Sequence, residues 1–293
     1  MDWPRAKSIL IIAFLVLNLG LALQLYLLPR LDLSARPVSQ EAIERVLMRN
    51  EVLLAGELPR RGPTAPFALL SPPAYSDREI TAIARDLLGP QAKQVEPATI
   101  PSADRSISYS GALGELVVVT AKGFISYQNQ IAPDPAANPL TAEDAVRKAS
   151  AFVRERIGTA GFAYDGVTAL TPSGFRVDYI QNFRGSFVFP GYITLVVKPE
   201  GIVAMWMYRL RVAFETRTDR RILSAAEAVL SLSNHRQNAG ETGGLTVQQV
   251  DFGFHSPVYD TVDPTWRGVP VWRILTSRGE FFINAHSGVL ETK

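Results

Sequence analysis

From Ile9 to Leu28 the chain reads ILIIAFLVLNLGLALQLYLL, an apolar run of twenty residues in which only Asn18 and Gln24 are strongly polar and none is charged. As a helix rising about 1.5 Å per residue it spans about 30 Å, the hydrocarbon thickness of a bilayer. Arg5 and Lys7 precede the run, and Pro29 and Arg30 close it. The positive-inside bias therefore predicts a cytoplasmic N-terminus over residues 1–8 and a transmembrane anchor over 9–28. A cleaved signal peptide is the competing reading, but the run is too long for a usual signal core and no Ala-x-Ala site follows it. No second apolar run of spanning length occurs, so the remainder is expected to fold outside the cytoplasmic membrane as part of a single-pass protein.

Beyond the anchor the apolar spacing turns to helix and strand periods. Three segments share one helix-start signal, a hydroxyl followed three residues later by an acid: Ser76-Asp-Arg-Glu79, Thr141-Ala-Glu-Asp144 and Ser224-Ala-Ala-Glu227. The hydroxyl accepts from a free N–H of the first turn, and the acid answers back and favours the helix dipole. The first predicts a helix to Leu88, stopped by Gly89. The second predicts one to about Ile157, with Ala145, Ala149, Phe152, Val153 and Ile157 on one stripe, and the third one to about Ser233. An earlier helix, about Ser39 to Asn50, carries Ile43, Val46 and Leu47 on its apolar face. Strand pairs are expected at 116–119 with 124–127, at 192–197 with 202–214, and at 271–276 with 280–284. Phe175, Val177 and Tyr179 alternate ahead of a turn at Gly185.

TAEDAV at 141–146 and SAAEAV at 224–229 each lead into antiparallel strands, which reads as an internal repeat of about 75 to 85 residues. The expected fold class is α+β: a single N-terminal transmembrane helix followed by extracytoplasmic helix-plus-antiparallel-sheet units. Pro-rich stretches at 58–66 and 132–139 fall where linkers belong. The second divides a membrane-proximal α+β domain, 37–136, from a distal one, 137–293, with units at about 140–215 and 222–293. The tail VWRILTSRGEFFINAHSGVLE, 271–291, resembles the closing strands of PepSY-type domains, and the units are read as PepSY-like repeats.

Composition narrows the chemistry. The 293 residues are 47% apolar and 20% charged, which excludes a disordered chain. Thirty basic against 28 acidic residues leave a net charge of +2, and 24 of the basic residues are scattered arginines, so no nucleic-acid partner is expected. The absence of cysteine excludes disulfide scaffolds, thiolate metal sites, Cys nucleophiles and a lipoprotein anchor. His235 in the polar stretch 234–244, His255 near a proline and His286 in a turn have no ligand spacing and read as surface or turn residues. Asp251, Asp260 and Asp263 read as turn residues between strands. No nucleophile elbow, Ser-x-x-Lys, P-loop or dinucleotide fingerprint occurs. No catalytic residue, metal site or cofactor is expected, and a tethered hydrolase is the least supported reading because paired carboxylates cannot be assigned from sequence. Trp206, Tyr208 and Phe214 share one strand face. Sheet packing is the default reading and a ligand platform the alternative.

Met1-Asp2-Trp3, then Lys7, then IIAFLVLN ending at Asn18 resemble the opening of the YycI (WalI) family. NEVLLAGELP, 50–59, is similar to that family's segment after its first helix, while Pro4 departs from the polar residue expected there. The resemblance implies an accessory membrane protein, not an enzyme, of the WalK–WalR two-component system that governs cell-wall metabolism in Gram-positive bacteria. The partners it implies are a WalK-type sensor histidine kinase, a YycH-type protein and the membrane. The residues make sense of that role. Lipid offers Asn18 no partner, so its amide favours a neighbouring helix by roughly 0.6 to 2 kcal/mol, and Gly20 lets backbones approach. The alternative is an Asn tolerated in a lone helix. Asp2, Trp3, Arg5 and Lys7 are read as a membrane-interface anchor, with Trp3 at headgroup level. An extracytoplasmic binding module or inhibitor for a cell-wall fragment or secreted hydrolase is the alternative function.

Overall fold

The computed structural model of the protein describes residues 7, 14–18, 40–60, 64–95, 106–132, 138–158, 161–214, 220–241, 243–256 and 265–291. The chain divides into two units, Met1–Val46 and Leu47–Lys293, and the sheet described below belongs to the second.

The helix-start signals do their expected work. Helix α1 (Gln40–Arg49) buries Ile43 and Leu47. Helix α2 (Asp77–Leu88) opens on a full capping box: the Glu79 N–H donates to Ser76 Oγ at 3.3 Å, and the Ser76 N–H donates to Glu79 Oε2 at 2.8 Å. Gly89, at φ 95, ends it. Helix α3 (Ala142–Phe152) is capped by Thr141, continues through a wider π turn over Val153–Ile157, and stops at Gly158. Helix α4 (Ala225–Asn238) has a second capping box, from Ser224, and outruns the expected end at Ser233. Asn234 to Asn238 form the helix end rather than a loop, exposed except for Arg236, which is buried and donates to Glu241, and His235 sits in the last turn.

The strands come in chain order. First are β1 (Val52–Leu54), β2 (Thr64–Ala65), β3 (Ala68–Ser71), β4 (Lys93–Val95), β5 (Ser106–Gly111), β6 (Gly114–Val119) and β7 (Phe124–Gln128). After α3 follow β8 (Phe162–Ala169), β9 (Phe175–Phe183), β10 (Ser186–Lys198), β11 (Gly201–Tyr208), β12 (Arg211–Phe214) and β13 (Arg220–Arg221). After α4 follow β14 (Leu245–His255), β15 (Trp266–Thr276), β16 (Gly279–Asn284) and β17 (Leu290–Glu291). The hairpins β6–β7, β10–β11 and β15–β16 form where turn residues were expected. Between β9 and β10, Arg184 and Gly185 both take positive φ, 52° and 79°, the geometry whose twist matches two antiparallel strands.

Fifteen of these strands make one sheet, in the order β12-β3-β15-β14-β10-β11-β7-β6-β5-β4, with β1, β8, β9, β16 and β17 attached beside that path. β2 and β13 pair separately. The large sheet is mixed, because β14 runs parallel to both β1 and β10. Alternation along the strands sorts the side chains onto two faces. On one face Leu116, Val118, Ile125, Tyr127, Val177, Tyr179, Ile193, Leu195, Met205 and Met207 are buried together with α2 and α3 residues such as Ile80, Ala84, Ala145 and Ala149. Across β14, Trp272 continues that face and donates its indole N–H to Leu223 O, at the entry to α4. The opposite face carries Arg176, Asp178, Tyr192, Thr194, Trp206 and Tyr208 and stays partly exposed.

This architecture overturns the expected fold class. Strand dominates the described residues, and the sheet is mixed rather than a set of antiparallel units. Strands from both sides of the 132–139 stretch share it: β7 pairs with β11, and β3 pairs with β12 and β15. Separate PepSY-like repeats with sheets of their own are not what the chain builds. No helix among the described residues is long and apolar enough to cross a membrane. Of the run 9–28, residues 9–13 and 19–28 lie outside the described residues. Capping boxes and hairpin turns are local signals that mark elements correctly, whereas the pairings that fuse them are long-range and leave no periodic trace.

The join between β10 and β14 is narrow, only Phe187 beside Gly253 and Val188 beside Phe254. A Cβ on Gly253 would stand 2.4 Å from the Phe187 carbonyl oxygen and 2.7 Å from the Phe189 ring, so the join admits no side chain there. Gly253→Ala is expected to cost about 1–3 kcal/mol in urea unfolding. Gly56→Ala, where nothing lies within 4 Å, should change stability by less than about 0.5 kcal/mol. Glu79 titrates below its ordinary value of 4.5 because the Ser76 backbone N–H and hydroxyl hydrogen-bond its carboxylate. A depressed carboxylate stabilises above its unfolded value and loses that contribution as pH falls through the folded one. Amide exchange in the first turn of α2 should therefore accelerate relative to the core as pH drops below 4.5, and Glu79→Gln should remove that dependence.

Candidate functional site

The exposed face of the sheet holds an open cleft of about 480 Å³. It is lined by Asp165 of β8, Arg176 and Asp178 of β9, Phe189, Tyr192 and Thr194 of β10, Trp206 of β11 and Glu280 of β16. Register explains why residues so far apart in sequence meet: Asp178 lies opposite Thr194, and Thr194 opposite Trp206, in adjacent strands. The Asp178 carboxylate is held on both oxygens, accepting from Thr194 Oγ1 at 2.7 Å and from Arg176 Nε at 2.7 Å. β10 reaches the floor through a shift of register between Val188 and Tyr192. Gly191 sits in this shift, where a Cβ would meet Gln181 Oε1 at 2.3 Å.

Beneath the cleft lies Arg273 of β15, with a side chain only 1% exposed. Its Nη2 donates to Asp165 Oδ1 at 2.6 Å and to Asp251 Oδ2 at 2.5 Å, its Nε donates to Asp251 Oδ2 at 3.1 Å, and Glu280 lies 3.6 Å from Nη1. The guanidinium also lies over the rings of Phe189 and Phe187, 5.2 and 5.8 Å from their centroids. Burial opposes its charge, but the hydrogen bonds it donates to Asp165 and Asp251, and their negative charges, outweigh that and hold its pKa above the ordinary arginine value. A lone buried guanidinium would cost several kcal/mol, so the carboxylates are what make this position tolerable. Phe189 packs on Phe282 at 5.1 Å, and Phe282 stacks on His255 at 4.3 Å and 3°, extending an aromatic floor toward the end of β14.

The residues expected from sequence distribute unevenly. Asn18 is exposed and its Nδ2 donates to Phe14 O at 2.9 Å, one turn back along its own helix. Lys7 is helical and exposed, and Asp2, Trp3, Arg5 and Gly20 lie outside the described residues, as do Asp260 and Asp263. Asp251 is no turn residue. It sits inside β14 opposite Arg273. His255 is buried in the same strand, and His286 lies against Phe67 at 4.9 Å in the turn before β17. Trp206 and Tyr208 share the exposed sheet face. Phe214 instead belongs to β12, packing between Phe183 and Phe254 at 5.7 and 5.5 Å. Sequence reasoning passed over Arg273, Asp165 and Glu280, and an arginine in the apolar run VWRIL was the one signal that could have found them.

The arrangement offers ring faces, fixed carboxylates and a concave surface. The comparisons with known proteins agree with a regulatory class of protein. The YycI protein family profile matches residues 38–286, and the chain belongs to that family. The family comprises regulatory accessory proteins of a two-component system and is not known as one of enzymes. An uncharacterized protein from Eubacterium rectale, solved as a crystal structure, shares the fold with a TM-score of 0.51 at 8% identity, over 83% of this chain and 91% of that one. No curated protein matches the chain.

The ion cluster yields a stability test. Asp251→Leu leaves Arg273 buried without its nearest carboxylate and should cost about 3 kcal/mol in urea unfolding. Arg154→Ala removes an exposed pair with Glu155 and should cost less than about 0.5 kcal/mol. The double variant Asp251→Leu with Arg273→Met should recover most of the loss, because an apolar pair replaces the charges. Equal effects of the first two substitutions would show that the cluster carries no stability.

Proposed function

We propose that the protein is an extracytoplasmic regulator, held at the cell membrane by its N-terminal apolar segment, that binds a WalK-type sensor histidine kinase together with a YycH-type partner. The observation that carries this reading is the YycI match over 38–286, which spans nearly all of the sheet unit. A regulator of this kind acts by binding one signalling state of the kinase better than the other, since a ligand shifts an equilibrium only by its differential affinity. The membrane assignment is supported by the run at 9–28 and by Phe14, Leu15, Val16 and Leu17, four consecutive apolar side chains each more than 60% exposed. Large apolar side chains exposed in sequence call for lipid or another helix around them. On this reading Asn18 and Gly20 face a partner helix, and Asp2, Trp3, Arg5 and Lys7 set the cytoplasmic interface.

Autophosphorylation of the kinase in proteoliposomes tests the proposal, with the full chain, a chain whose residues 9–28 are exchanged for an unrelated apolar helix, and a chain beginning at residue 31. The YycH-type partner is added in a second series. The full chain should change the rate roughly fivefold or more, and the exchanged helix should abolish the change. Retained regulation with the exchanged helix would move the contact to the sheet unit, and no change in any combination would overturn the reading.

A further inference from the structure

We propose that the exposed sheet face binds a neutral oligosaccharide, with one sugar ring seated on the Trp206 indole and the next hydrogen-bonded by Arg176 and Asp178. The inference goes beyond the regulatory reading and does not rest on it.

Trp206 is a large side chain left partly exposed on a sheet whose other face is buried against helices. Among the described residues its ring makes no aromatic or cation contact, and its indole N–H donates to nothing. Register supplies the reason. Trp206 lies opposite Thr194 of β10 and Ser126 of β7, with Ala204 two residues back along β11. All three are small, so none of them can cover the indole.

Beside the indole lies a polar pair with capacity left. Arg176 donates from Nε to Asp178 Oδ2 at 2.7 Å and uses neither Nη among the described residues, and its side chain is 52% exposed. Asp178 takes one hydrogen bond on each oxygen, from Thr194 and from Arg176, which leaves a lone-pair site on each. The pair thus offers fixed donors and fixed acceptors side by side. Asp165 and Glu280 are engaged by Arg273 and take no part.

These groups select the ligand. An aromatic face carries partial negative charge, which suits the C–H side of a sugar ring. A hydroxyl both donates and accepts, so one can meet Asp178 while its neighbour meets Arg176. Strands about 4.8 Å apart set Asp178 about 10 Å from Trp206, two strands away. A sugar ring on the indole therefore lies beside Thr194, and the next one reaches the pair. The cleft of about 480 Å³ is of the size of small-ligand sites. Because Asp178 already neutralises Arg176, a charged ligand finds no unpaired counter-ion there. A proline-rich peptide also stacks on indole, but its tertiary amides have no N–H to give Asp178.

The test is isothermal titration calorimetry of the full chain, purified in a detergent without a sugar headgroup, against cellohexaose, chitohexaose and maltohexaose. Saturable binding of at least one, with a Kd below about 1 mM, is expected. Trp206→Ala should weaken it roughly tenfold through the lost stack, and Arg176→Leu roughly fivefold through lost charge-assisted hydrogen bonds. Arg176 is half exposed, so Arg176→Leu should leave the thermal melt unchanged and carries the test if Trp206→Ala unfolds. No saturation with any of the three sugars, or affinity unchanged in the folded variants, would overturn the proposal. So would binding of octaproline that the sugars fail to displace, which would make the indole a peptide platform. Kinase regulation is read in a separate assay, so either reading can fall while the other stands.

Discussion

Everything in the sheet unit depends on the join between β10 and β14, where two nearly complete sheets meet along two residue pairs. Backbone hydrogen bonds over so short a parallel contact contribute on the order of 1 kcal/mol each, too little to hold two halves in register. Side chains that cross the join add to this, Arg273 among them. Its side chain leaves β15, on one side of the join, and reaches Asp165 of β8 on the other, so one buried charge ties together strands that the ladder connects only through β14, β10 and β9.

Aromatic rings reinforce that tie on both faces. Beneath the helices, Phe183, Phe214, Phe254, Phe252 and Trp272 succeed one another at 5.2 to 6.0 Å from β9 through β12 to β15. On the exposed face Phe187, Phe189, Phe282 and His255 do the same at 4.3 to 6.0 Å. Gln181 completes the set by bonding Leu210 through both backbone groups, at 2.6 and 2.9 Å, where the chain leaves β11 for β12. A join held this way is stiff. Because α2, α3 and α4 all lie on one face, stiffness and exposure coincide on the other, and that is where the cleft forms.

The helices and hairpins were legible because their signals are local: Ser76 with Glu79, Ser224 with Glu227, Gly185 in a tight turn. Trp206 and Tyr208 were legible as a shared face because strands alternate. The fusion of the hairpins into one mixed sheet was not legible, since β3 to β15 or β10 to β14 is a pairing without periodicity. Nor was the ion cluster, whose bonds run 22 residues from Arg273 to Asp251 and 108 to Asp165. Asp251 looked like a turn residue because an acid inside Val-Asp-Phe has no apparent reason until its buried partner is known. α4 was cut short for the opposite reason, its polar last turn imitating a loop.

Native-state hydrogen exchange across the sheet tests the central claim, that the join makes one cooperative body. Amides of β6 and β7 and amides of β15 and β16 should share one highest opening free energy and one denaturant dependence, since neither half opens alone. Two separate opening energies with different denaturant slopes would contradict the account and make the sheet two bodies in contact.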